Sequence, residues 1–316
     1  MQLNSKIYVA GHLGLIGSAF LRRLRQQGYS NLLFKNRNEL NLTNKNSVDE
    51  FFDFYQPEYV VLAAGKVGGI IANLTLPADF IHLNISIQNN VIQAAHRNNV
   101  TKLLYFGSSC MYPRECQSSM KEDMLFTGLP EPTSMAYAVS KMAGMQMCFA
   151  YNLQYGYKKF IPIIPNSVFG PNDNFQPESA HVLSSLIHKI HHAKQANLMS
   201  VTLWGSGEPC REFIYADDLA DAGLLLMRGN IDELLLPVNI GFGSDITIKV
   251  LANKIADLVG FTGDIIWDIS KPDGAPKKLL NSNRMQQLGW RPNISFEEGL
   301  RRTYEWYLEN ISWDVK

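Results

Sequence analysis

Residues 6–17 read KIYVAGHLGLIG, a short apolar run followed by glycines at every third position. Residues 7–10 have the β-branched and aromatic composition of a buried strand, and an amphipathic helical pattern follows the loop. Between them, Gly11, Gly14 and Gly17 allow a tight turn in which backbone N–H groups and the positive end of a helix dipole face a pyrophosphate. Packing alone can also require glycine in such a turn, but the position after the first strand favours a dinucleotide site.

Strand-like and helical segments alternate along the first half of the chain. The β-rich runs are 6–10, 32–34, 59–63, 103–106 and 160–164. They are separated by amphipathic stretches such as 15–27 and 84–98, whose apolar residues recur every three or four positions. This order predicts an α/β fold, with a Rossmann-type doubly wound parallel sheet in an NADP-binding domain over 1–165. The alternation fades after Pro165, so we expect 166–316 to form mainly a smaller C-terminal α/β substrate lobe, with some chain returning to the Rossmann sheet.

Composition and charge exclude several classes of protein. The 316 residues include 29 basic and 29 acidic side chains, so the chain has no formal net charge and lacks the positive field that nucleic-acid binding uses. The 4 cysteines show no Cys-x-x-Cys spacing, which argues against a disulfide framework or a zinc site. No apolar run has the length of a membrane span, and Lys6 leads directly into a strand rather than a secretory signal. We therefore expect a cytoplasmic protein without a nucleic-acid, membrane or metal partner.

The end of the second strand bears on which dinucleotide is bound. NAD sites usually place an acidic residue there, roughly 20 residues beyond the glycines, to hold the ribose 2′-hydroxyl. Here Lys35, Asn36 and Arg37 occupy the strand end, and two cations suit the 2′-phosphate of NADP. The same residues could form a solvated strand end without a ligand, but we predict NADPH as the cofactor.

A serine, a tyrosine and a lysine form the predicted catalytic group. Ser108 follows the fourth strand, at the edge where open α/β sheets bind ligands, and Tyr137 and Lys141 are one turn apart on a later helix. The Lys141 ammonium is expected to lower the pKa of the Tyr137 phenol and to hold the cofactor ribose. Tyr137 would then exchange a proton with a carbinol or carbonyl oxygen that is hydrogen-bonded by Ser108.

The order of these motifs resembles the extended short-chain dehydrogenase/reductases, and several longer segments resemble the GDP-L-fucose synthases. These segments are 63–70 (AAGKVGGI), 107–113 (GSSCMYP), 170–175 (GPNDNF), 204–207 (WGSG), 211–213 (REF) and 271–274 (KPDG). They recur in the family's order over nearly the whole chain. The resemblance implies an enzyme that epimerises GDP-4-keto-6-deoxy-D-mannose at C3 and C5 and then reduces the C4 ketone with NADPH, giving GDP-L-fucose.

The resemblance also implies an epimerase pair, because Cys110 and His181 stand at the family's base and acid positions. A ketone at C4 acidifies the protons on C3 and C5, so epimerisation needs one group to remove each proton and another to return it on the opposite face. A thiolate can remove such a proton, and an imidazole can deliver one near neutral pH. Without the resemblance, Cys110 would be interpreted as a small buried residue and His181 as a surface histidine, like the polar helix face predicted for His188, His191 and His192.

The resemblance further implies a cofactor site, a substrate site and a dimer. The cofactor residues are Gly11, Gly14, Leu15, Ile16, Gly17, Lys35, Arg37, Ala63, Ala64, Lys141, Asn166, Val168 and His181. The residues for the GDP-sugar are Ser167, Lys189, Trp204, Arg211 and Lys271, whose cations can neutralise a diphosphate. Trp204 could equally be a core aromatic. Helices within 84–98 and 136–151 are expected to pack across the two-fold axis of a homodimer.

Three positions depart from the family's pattern. Leu13 replaces an arginine beside the 2′-phosphate, Ser167 replaces an asparagine that faces the substrate and the nicotinamide, and Lys189 replaces an arginine on the GDP side. These differences leave open a C4 reductase, with or without epimerase activity, that acts on a related GDP-4-keto sugar such as a dideoxyhexose or a 6-deoxyheptose. A catalytically silent dinucleotide-binding protein is a third alternative, against which the presence of Tyr137 and Lys141 argues.

Overall fold

The computed structural model describes residues 1–116, 119–176, 179–229, 236–271 and 273–311, so Pro272 of the 271–274 segment and the end of the predicted 166–316 lobe lie outside the described residues. The strands are β1 Ile7–Ala10, β2 Leu32–Leu33, β3 Tyr59–Leu62, β4 Lys102–Phe106, β5 Phe160–Pro165, β6 Ser167–Phe169, β7 Ser200–Trp204, β8 Cys210–Tyr215, β9 Val238–Ile240, β10 Asp245–Thr247, β11 Asp264–Asp268 and β12 Lys277–Lys278. The α-helices are α1 Leu15–Gln26, α2 Lys45–Tyr55, α3 Ile70–Thr75, α4 Pro77–Arg97, α5 Met135–Tyr155, α6 Val182–Gln195, α7 Ala216–Arg228, α8 Ile248–Val259, α9 Asn283–Gln287 and α10 Phe296–Asn310.

Six strands form one parallel sheet in the order β2-β1-β3-β4-β5-β9. Parallel neighbours need crossover connections, which place helices on both faces of the sheet. The strand order reverses between β1 and β3, the position at which sheets of this kind bind ligands. The predicted α/β fold with a Rossmann-type sheet is confirmed, and β9 joins this sheet from the second half of the chain.

Alternate residues of the strands enter two hydrophobic layers. In β1, Ile7 and Val9 face the layer that includes α1 and α7, whereas Tyr8 and Ala10 face the layer that includes α2, α4 and α5. All four side chains are buried, as expected for strands covered on both faces. The layers therefore hold the strand ends, and the loops that follow them, in fixed positions.

Two helices are longer than their predicted segments. The helix expected over 84–98 begins at Pro77. Proline is accepted at this position, because the first turn of a helix has no acceptor for a backbone N–H. The helix expected over 136–151 begins at Met135 and continues to Tyr155. These helices, α4 and α5, pack side by side against the sheet.

A smaller lobe is built around β8. This strand pairs with β6 and β12 in parallel and with β10 antiparallel, while β7 and β11 form a separate pair. Glu212 of β8 is buried and accepts hydrogen bonds from Asn166 Nδ2 at 2.7 Å, from the Gly243 N–H at 2.6 Å and from the Leu280 N–H at 3.0 Å. Burial raises the pKa of this carboxyl, and the hydrogen bonds oppose the rise. Glu212 thereby ties β8 to the residue that follows β5 and to the chain beyond β12.

Among the described residues, none of the helices combines the length and the hydropathy of a membrane-crossing segment. Within the same part of the chain, no three His, Cys, Asp or Glu side chains are grouped as metal ligands would be. All 4 cysteines are free thiols.

Candidate active site

The glycine loop joins β1 to α1 at the point where the strand order reverses. Gly11 has a positive φ of 84°, and a Cβ there would lie 2.7 Å from the backbone nitrogen of Ala64. The Ala63 N–H donates to the Ala10 carbonyl at 3.0 Å, so the end of β3 lies directly against the loop. A Cβ on Gly17 would overlap the Gly11 carbonyl oxygen. The backbone itself therefore requires glycine at these two positions.

Gly14 has no such requirement within the chain. Its φ of −84° suits any residue, and a Cβ would be 3.6 Å from the Gly11 carbonyl oxygen, an ordinary contact. Gly14 is the N-cap of α1, so the N–H groups of Leu15 and Ile16 lie in the first turn, where a helix supplies no acceptor. A phosphate at this helix end would accept those N–H groups and pass close to Gly14. The loop therefore fits a dinucleotide pyrophosphate.

The end of β2 carries the charges on the adenosine side. Lys35 forms an ion pair with Glu39 at 3.1 Å, and Glu39 also accepts a hydrogen bond from the Asn36 N–H at 2.9 Å. The sequence prediction counted two cations here and omitted this carboxylate. Arg37 is exposed, and Leu13 is 69 % exposed on the neighbouring glycine loop. Glu39 offsets the charge of Lys35, which leaves Arg37 as the stronger candidate for a 2′-phosphate contact.

Ser108, Tyr137 and Lys141 come together at the carboxyl end of β4. The Ser108 Oγ accepts a hydrogen bond from the Cys110 N–H at 3.2 Å, at the start of a 3₁₀ turn over Ser109–Met111, and Ser108 also hydrogen-bonds the Tyr137 phenol. On α5, the Lys141 Nζ lies 5.9 Å from the centroid of the Tyr137 ring. The structure therefore makes neighbours of the three side chains predicted from separate motifs.

Burial controls the protonation of this group. It raises the pKa of the Tyr137 phenol, and the nearby Cys110 raises that pKa further, while the hydrogen bond with Ser108 opposes the rise. It lowers the pKa of the Lys141 ammonium from 10.5 to about 8. The net lowering of the Tyr137 pKa that the sequence predicted is not found, because desolvation is the largest effect on the phenol and outweighs the effects that lower its pKa. Tyr137 is therefore a neutral proton donor at neutral pH.

A buried polar network orients the helix that carries Tyr137 and Lys141. The Tyr105 hydroxyl of β4 donates to Gln88 Oε1 of α4 at 2.8 Å, and Gln88 Nε2 donates to the Ser140 carbonyl of α5 at 2.8 Å. The Lys141 Nζ lies 5.3 Å from the centroid of the Tyr105 ring, a cation–π contact. Because each polar group is satisfied, the network fixes α5 relative to the sheet.

Cys110 contacts a cation that the sequence prediction missed. The Lys278 Nζ lies 3.2 Å from the Cys110 Sγ, although the two residues are 168 positions apart. Burial alone would raise the pKa of the thiol. The charge of Lys278, together with hydrogen bonds involving Ser108, Lys278 and Ser134, outweighs burial and lowers that pKa below its ordinary value. No spacing in the sequence links Lys278 to Cys110, because only the pairing of β12 with β8 places this lysine in the site.

His181 is positioned at the start of α6 by a close backbone contact. It is the exposed N-cap residue of this helix. Just before it, Ala180 lies against Gly69, where a Cβ would stand 2.5 Å from the Ala180 carbonyl oxygen, and the Gly69 N–H donates to the Ser179 carbonyl at 3.0 Å. Burial raises the pKa of the nearby Asp173, and the charge of His181 opposes that rise. The loop after β3 therefore determines where His181 stands.

Asn166, Ser167 and Val168 lead from the Rossmann sheet into the smaller lobe. Besides its bond to Glu212, Asn166 Nδ2 donates to the Lys278 carbonyl at 3.1 Å, whereas Asn166 Oδ1 is buried and has no hydrogen-bond partner among the described residues. Ser167 and Val168 belong to β6 and are partly buried. An unsatisfied buried acceptor fits a donor from a bound group, such as the carboxamide of a nicotinamide.

Among the predicted GDP-sugar residues, Trp204 and two lysines form one group. Trp204 is 48 % exposed, and the Nζ atoms of Lys189 and Lys271 lie 5.2 and 5.5 Å from its ring, so Trp204 is not a core aromatic. Burial lowers the pKa of Lys189. Arg211 lies on β8 opposite Lys278 of β12, and its Nη1 donates to the Cys210 carbonyl at 2.7 Å.

Comparison with known proteins places this arrangement in a family. The sequence matches the NAD dependent epimerase/dehydratase family over residues 7–241. The chain belongs to this family. It is 47 % identical to GDP-L-fucose synthase 1 of Arabidopsis thaliana, over 98 % of this chain and 94 % of that protein. It is 45 % identical to the GDP-L-fucose synthase of Escherichia coli strain K12, over 96 % and 97 %.

A solved structure shows the same architecture. The chain resembles MlghC, the GDP-mannoheptose C4 reductase from Campylobacter jejuni with NADP bound, with a TM-score of 0.89 and 38 % identity over 98 % of this chain and 99 % of that one. The resemblance to GDP-L-fucose synthases that the motifs predicted is confirmed.

One histidine of α6 has surroundings different from those predicted. The polar helix face expected for His188, His191 and His192 is wrong for His191, which is buried with its Nδ1 2.8 Å from the Tyr304 hydroxyl of α10. Burial lowers the pKa of His191 to about 4. The reason is the packing of α10 over α6, a contact between segments that no local pattern reveals.

Proposed function

We propose that this chain is an NADPH-dependent GDP-4-keto-6-deoxy-D-mannose 3,5-epimerase/4-reductase that makes GDP-L-fucose. The observation that carries the proposal is that two groups of side chains lie close together. Ser108, Tyr137 and Lys141 form one group, and Cys110 with the ammonium of Lys278 forms the other. A proton donor for a ketone and a thiol with a lowered pKa thus occupy one site. The identity of 45–47 % to two GDP-L-fucose synthases supports the choice of substrate.

Epimerisation is the part of the reaction assigned to Cys110 and His181. The Cys110 thiolate removes the proton from C3 or C5, and the C–H electron pair moves into an enolate whose charge rests on the C4 oxygen. Ser108 and Tyr137 donate hydrogen bonds to that oxygen and stabilise the charge. His181 returns a proton to the opposite face of the same carbon. The thiol then loses its proton, and the imidazole regains one, by exchange with solvent.

Reduction of the C4 ketone is assigned to Tyr137 and Lys141. NADPH supplies the hydride. The Tyr137 phenol, kept neutral by burial, gives its proton to the C4 oxygen. The Lys141 ammonium, whose pKa of about 8 leaves it mostly charged at neutral pH, stabilises the phenolate that remains.

NADPH would be held along the carboxyl edge of the Rossmann sheet. Gly14 and the N–H groups of Leu15 and Ile16 would face the pyrophosphate, and Arg37 would face the 2′-phosphate, with a lesser contribution from Lys35. Asn166 Oδ1 would accept from the nicotinamide carboxamide. The proposed lining also includes Ala63, Ala64, Lys141, Val168 and His181. The NADP bound by MlghC supports this assignment.

The GDP-sugar would lie between the sheet edge and the smaller lobe. Lys189, Lys271 and Arg211 would neutralise the diphosphate, and the exposed face of Trp204 offers a stacking surface for an aromatic base. Ser167, on the first strand of the lobe, would contact the sugar. The proposed division of the chain is an NADP-binding domain over 1–165 and a substrate lobe mainly within 166–316, from which β9 returns to the Rossmann sheet.

The proposed assembly is a homodimer through α4 and α5. Apolar side chains are exposed along these helices, including Ile85, Val139 and Leu153, the last of which is 83 % exposed. A second copy would cover them. Light scattering at the mass of one chain would exclude the dimer. The free thiols support a proposed location in the reducing cytoplasm.

The experiment that tests the function is an incubation of the protein with GDP-4-keto-6-deoxy-D-mannose and NADPH, followed by identification of the product by NMR. We expect GDP-L-fucose. A reduced sugar that keeps the original configuration at C3 and C5 would instead identify a C4 reductase, and Ser167→Asn and Lys189→Arg would then be the first variants to examine. An unreacted ketone in the presence of bound NADPH would identify a protein without catalysis.

A further inference from the structure

The contact between Lys278 and Cys110 places an ammonium beside the sulfur of the proposed epimerase base. The Nζ–Sγ distance of 3.2 Å is that of a hydrogen bond to sulfur, and both side chains are partly buried. A nearby ammonium favours the charged thiolate over the neutral thiol. The contact therefore bears on the protonation state in which Cys110 reaches a substrate.

The chain around Lys278 is anchored on two sides. Lys278 lies opposite Arg211 in the parallel pair formed by β12 and β8. The Leu280 N–H donates to the buried Glu212. On either side of Leu280, the Leu279 carbonyl accepts from the Met120 N–H and the Asn281 N–H donates to the Met120 carbonyl. Lys278 thus projects from a fixed strand toward Cys110, with less freedom than an exposed lysine.

Other polar groups also face the sulfur. Ser108 and Ser134 hydrogen-bond the thiol, and Arg211 of β8 and Tyr137 of α5 interact with it electrostatically. Arg211 adds a second positive charge, whereas Tyr137 is neutral at neutral pH. Lys278 is the cation for which the structure gives direct contact with the sulfur.

We propose that Lys278 is a positioning residue that holds Cys110 as a thiolate and fixes the direction of its sulfur, so that it supports epimerisation without taking part in hydride transfer. The inference rests on the proposed role of Cys110 as the base. It goes further by naming the residue that prepares this base.

The test compares Lys278→Met and Lys278→Arg with a matched control, Lys277→Met. Lys277 is the preceding residue of β12, and its ammonium pairs with Asp245 at 3.3 Å rather than with the thiol. The first readout is the pH dependence of Cys110 alkylation by iodoacetamide in protein without substrate, followed on the Cys110 peptide by mass spectrometry. The ultraviolet absorbance of the thiolate, taken as the difference from Cys110→Ser, gives a second value.

We expect Lys278→Met to slow alkylation at neutral pH about tenfold and to move its midpoint to higher pH. Lys278→Arg is expected to stay within about threefold of the parent, because the charge is kept. Lys277→Met is expected to be unchanged. An unchanged alkylation and absorbance profile in Lys278→Met would overturn the proposal, whatever the catalytic assays show.

The second readout is deuterium exchange at C3 and C5 of GDP-4-keto-6-deoxy-D-mannose in deuterated water with NADP, which isolates epimerisation from reduction. We expect Lys278→Met to exchange about tenfold more slowly at neutral pH and to recover at alkaline pH. A raised KM with an unchanged exchange rate at saturation would show that Lys278 only anchors the diphosphate, and would overturn the proposal. Absence of exchange in the parent protein would remove the proposed function, while the alkylation profile would still report on the pair.

Discussion

The two groups of the site differ in how far apart their residues lie in the sequence. The reductive group consists of Ser108, Tyr137 and Lys141, which all fall within a stretch of 34 residues. Ser108 follows one strand, and the other two residues lie on one helix. The thiol group, Cys110, Ser134, Arg211 and Lys278, draws on the chain before α5, on β8 and on β12. Local motifs therefore define the proton donor for reduction, whereas the environment of the base exists only after the two lobes have packed together.

Lys141→Met should break the reductive group while leaving the thiol group intact. We expect the rate of ketone reduction to fall by about 10²–10⁴-fold, because the phenolate of Tyr137 would lose its stabilising cation. Deuterium exchange at C3 and C5 should fall much less. Steady-state NADPH oxidation and NMR exchange measure the two quantities, and an equal loss of both would contradict the division into two groups.

The same substitution should stabilise the protein without ligands. The folded pKa of Lys141, about 8, lies below its ordinary value of 10.5, so protonation opposes folding at neutral pH and the free energy of unfolding rises as the pH passes from about 8 to 10.5. Lys141→Met removes this dependence and should raise the free energy of unfolding at neutral pH by about 1–3 kcal/mol. Urea denaturation at neutral and alkaline pH measures it. Lys249→Met, at an exposed lysine, is the control and should change neither value.

Gly69→Ala should disturb epimerisation through His181. The added Cβ would meet the Ala180 carbonyl oxygen at 2.5 Å and displace the residue next to His181. A shift of about 1 Å at a catalytic group can cost up to about 10²-fold in rate, so we expect exchange at C3 or C5 to fall between about tenfold and a hundredfold. Val67→Ala, in the same loop and exposed, should not affect exchange. Equal exchange rates in both variants would exclude the proposed role of the loop.

Arg37→Ala should have the smallest effect and concern only the cofactor. We expect the Kd for NADPH to rise about tenfold, because a charged hydrogen bond to the 2′-phosphate would be lost. Lys35→Ala should raise it about twofold, since Glu39 already pairs with that ammonium. Fluorescence titration with NADPH and NADH measures both. A similar rise in the Kd for NADH, which lacks the 2′-phosphate, would show that Arg37 does not bind that phosphate.

Much of the fold could be predicted because its signals are local. The order of strands and helices, the glycine turn and the four-residue spacing of Tyr137 and Lys141 are all contained in short segments. The extension of α4 back to Pro77 was not predicted, because the apolar spacing that indicated this helix covered only 84–98. The burial of His191 was missed because it depends on the packing of α10.

The chemistry of the site could be predicted only in part, because pKa values depend on burial. The sequence shows that a lysine lies one turn from Tyr137. It does not show the desolvation that is the largest effect on the pKa of both side chains. Glu39 lies only four residues from Lys35 and could have been found from that spacing. The contact of Lys278 with Cys110 could not be predicted from sequence spacing, because it depends on the pairing of β12 with β8.

The most direct test of the central claim is deuterium exchange in Tyr137→Phe with GDP-4-keto-6-deoxy-D-mannose in deuterated water. This variant keeps Cys110, Lys278 and His181 but lacks the phenolic proton that reduction requires. The account predicts an unreduced ketone that gains deuterium at both C3 and C5, more slowly than with the parent protein because Ser108 alone then stabilises the enolate. An unreduced ketone without deuterium, from a folded variant that binds NADPH as tightly as the parent does, would contradict it.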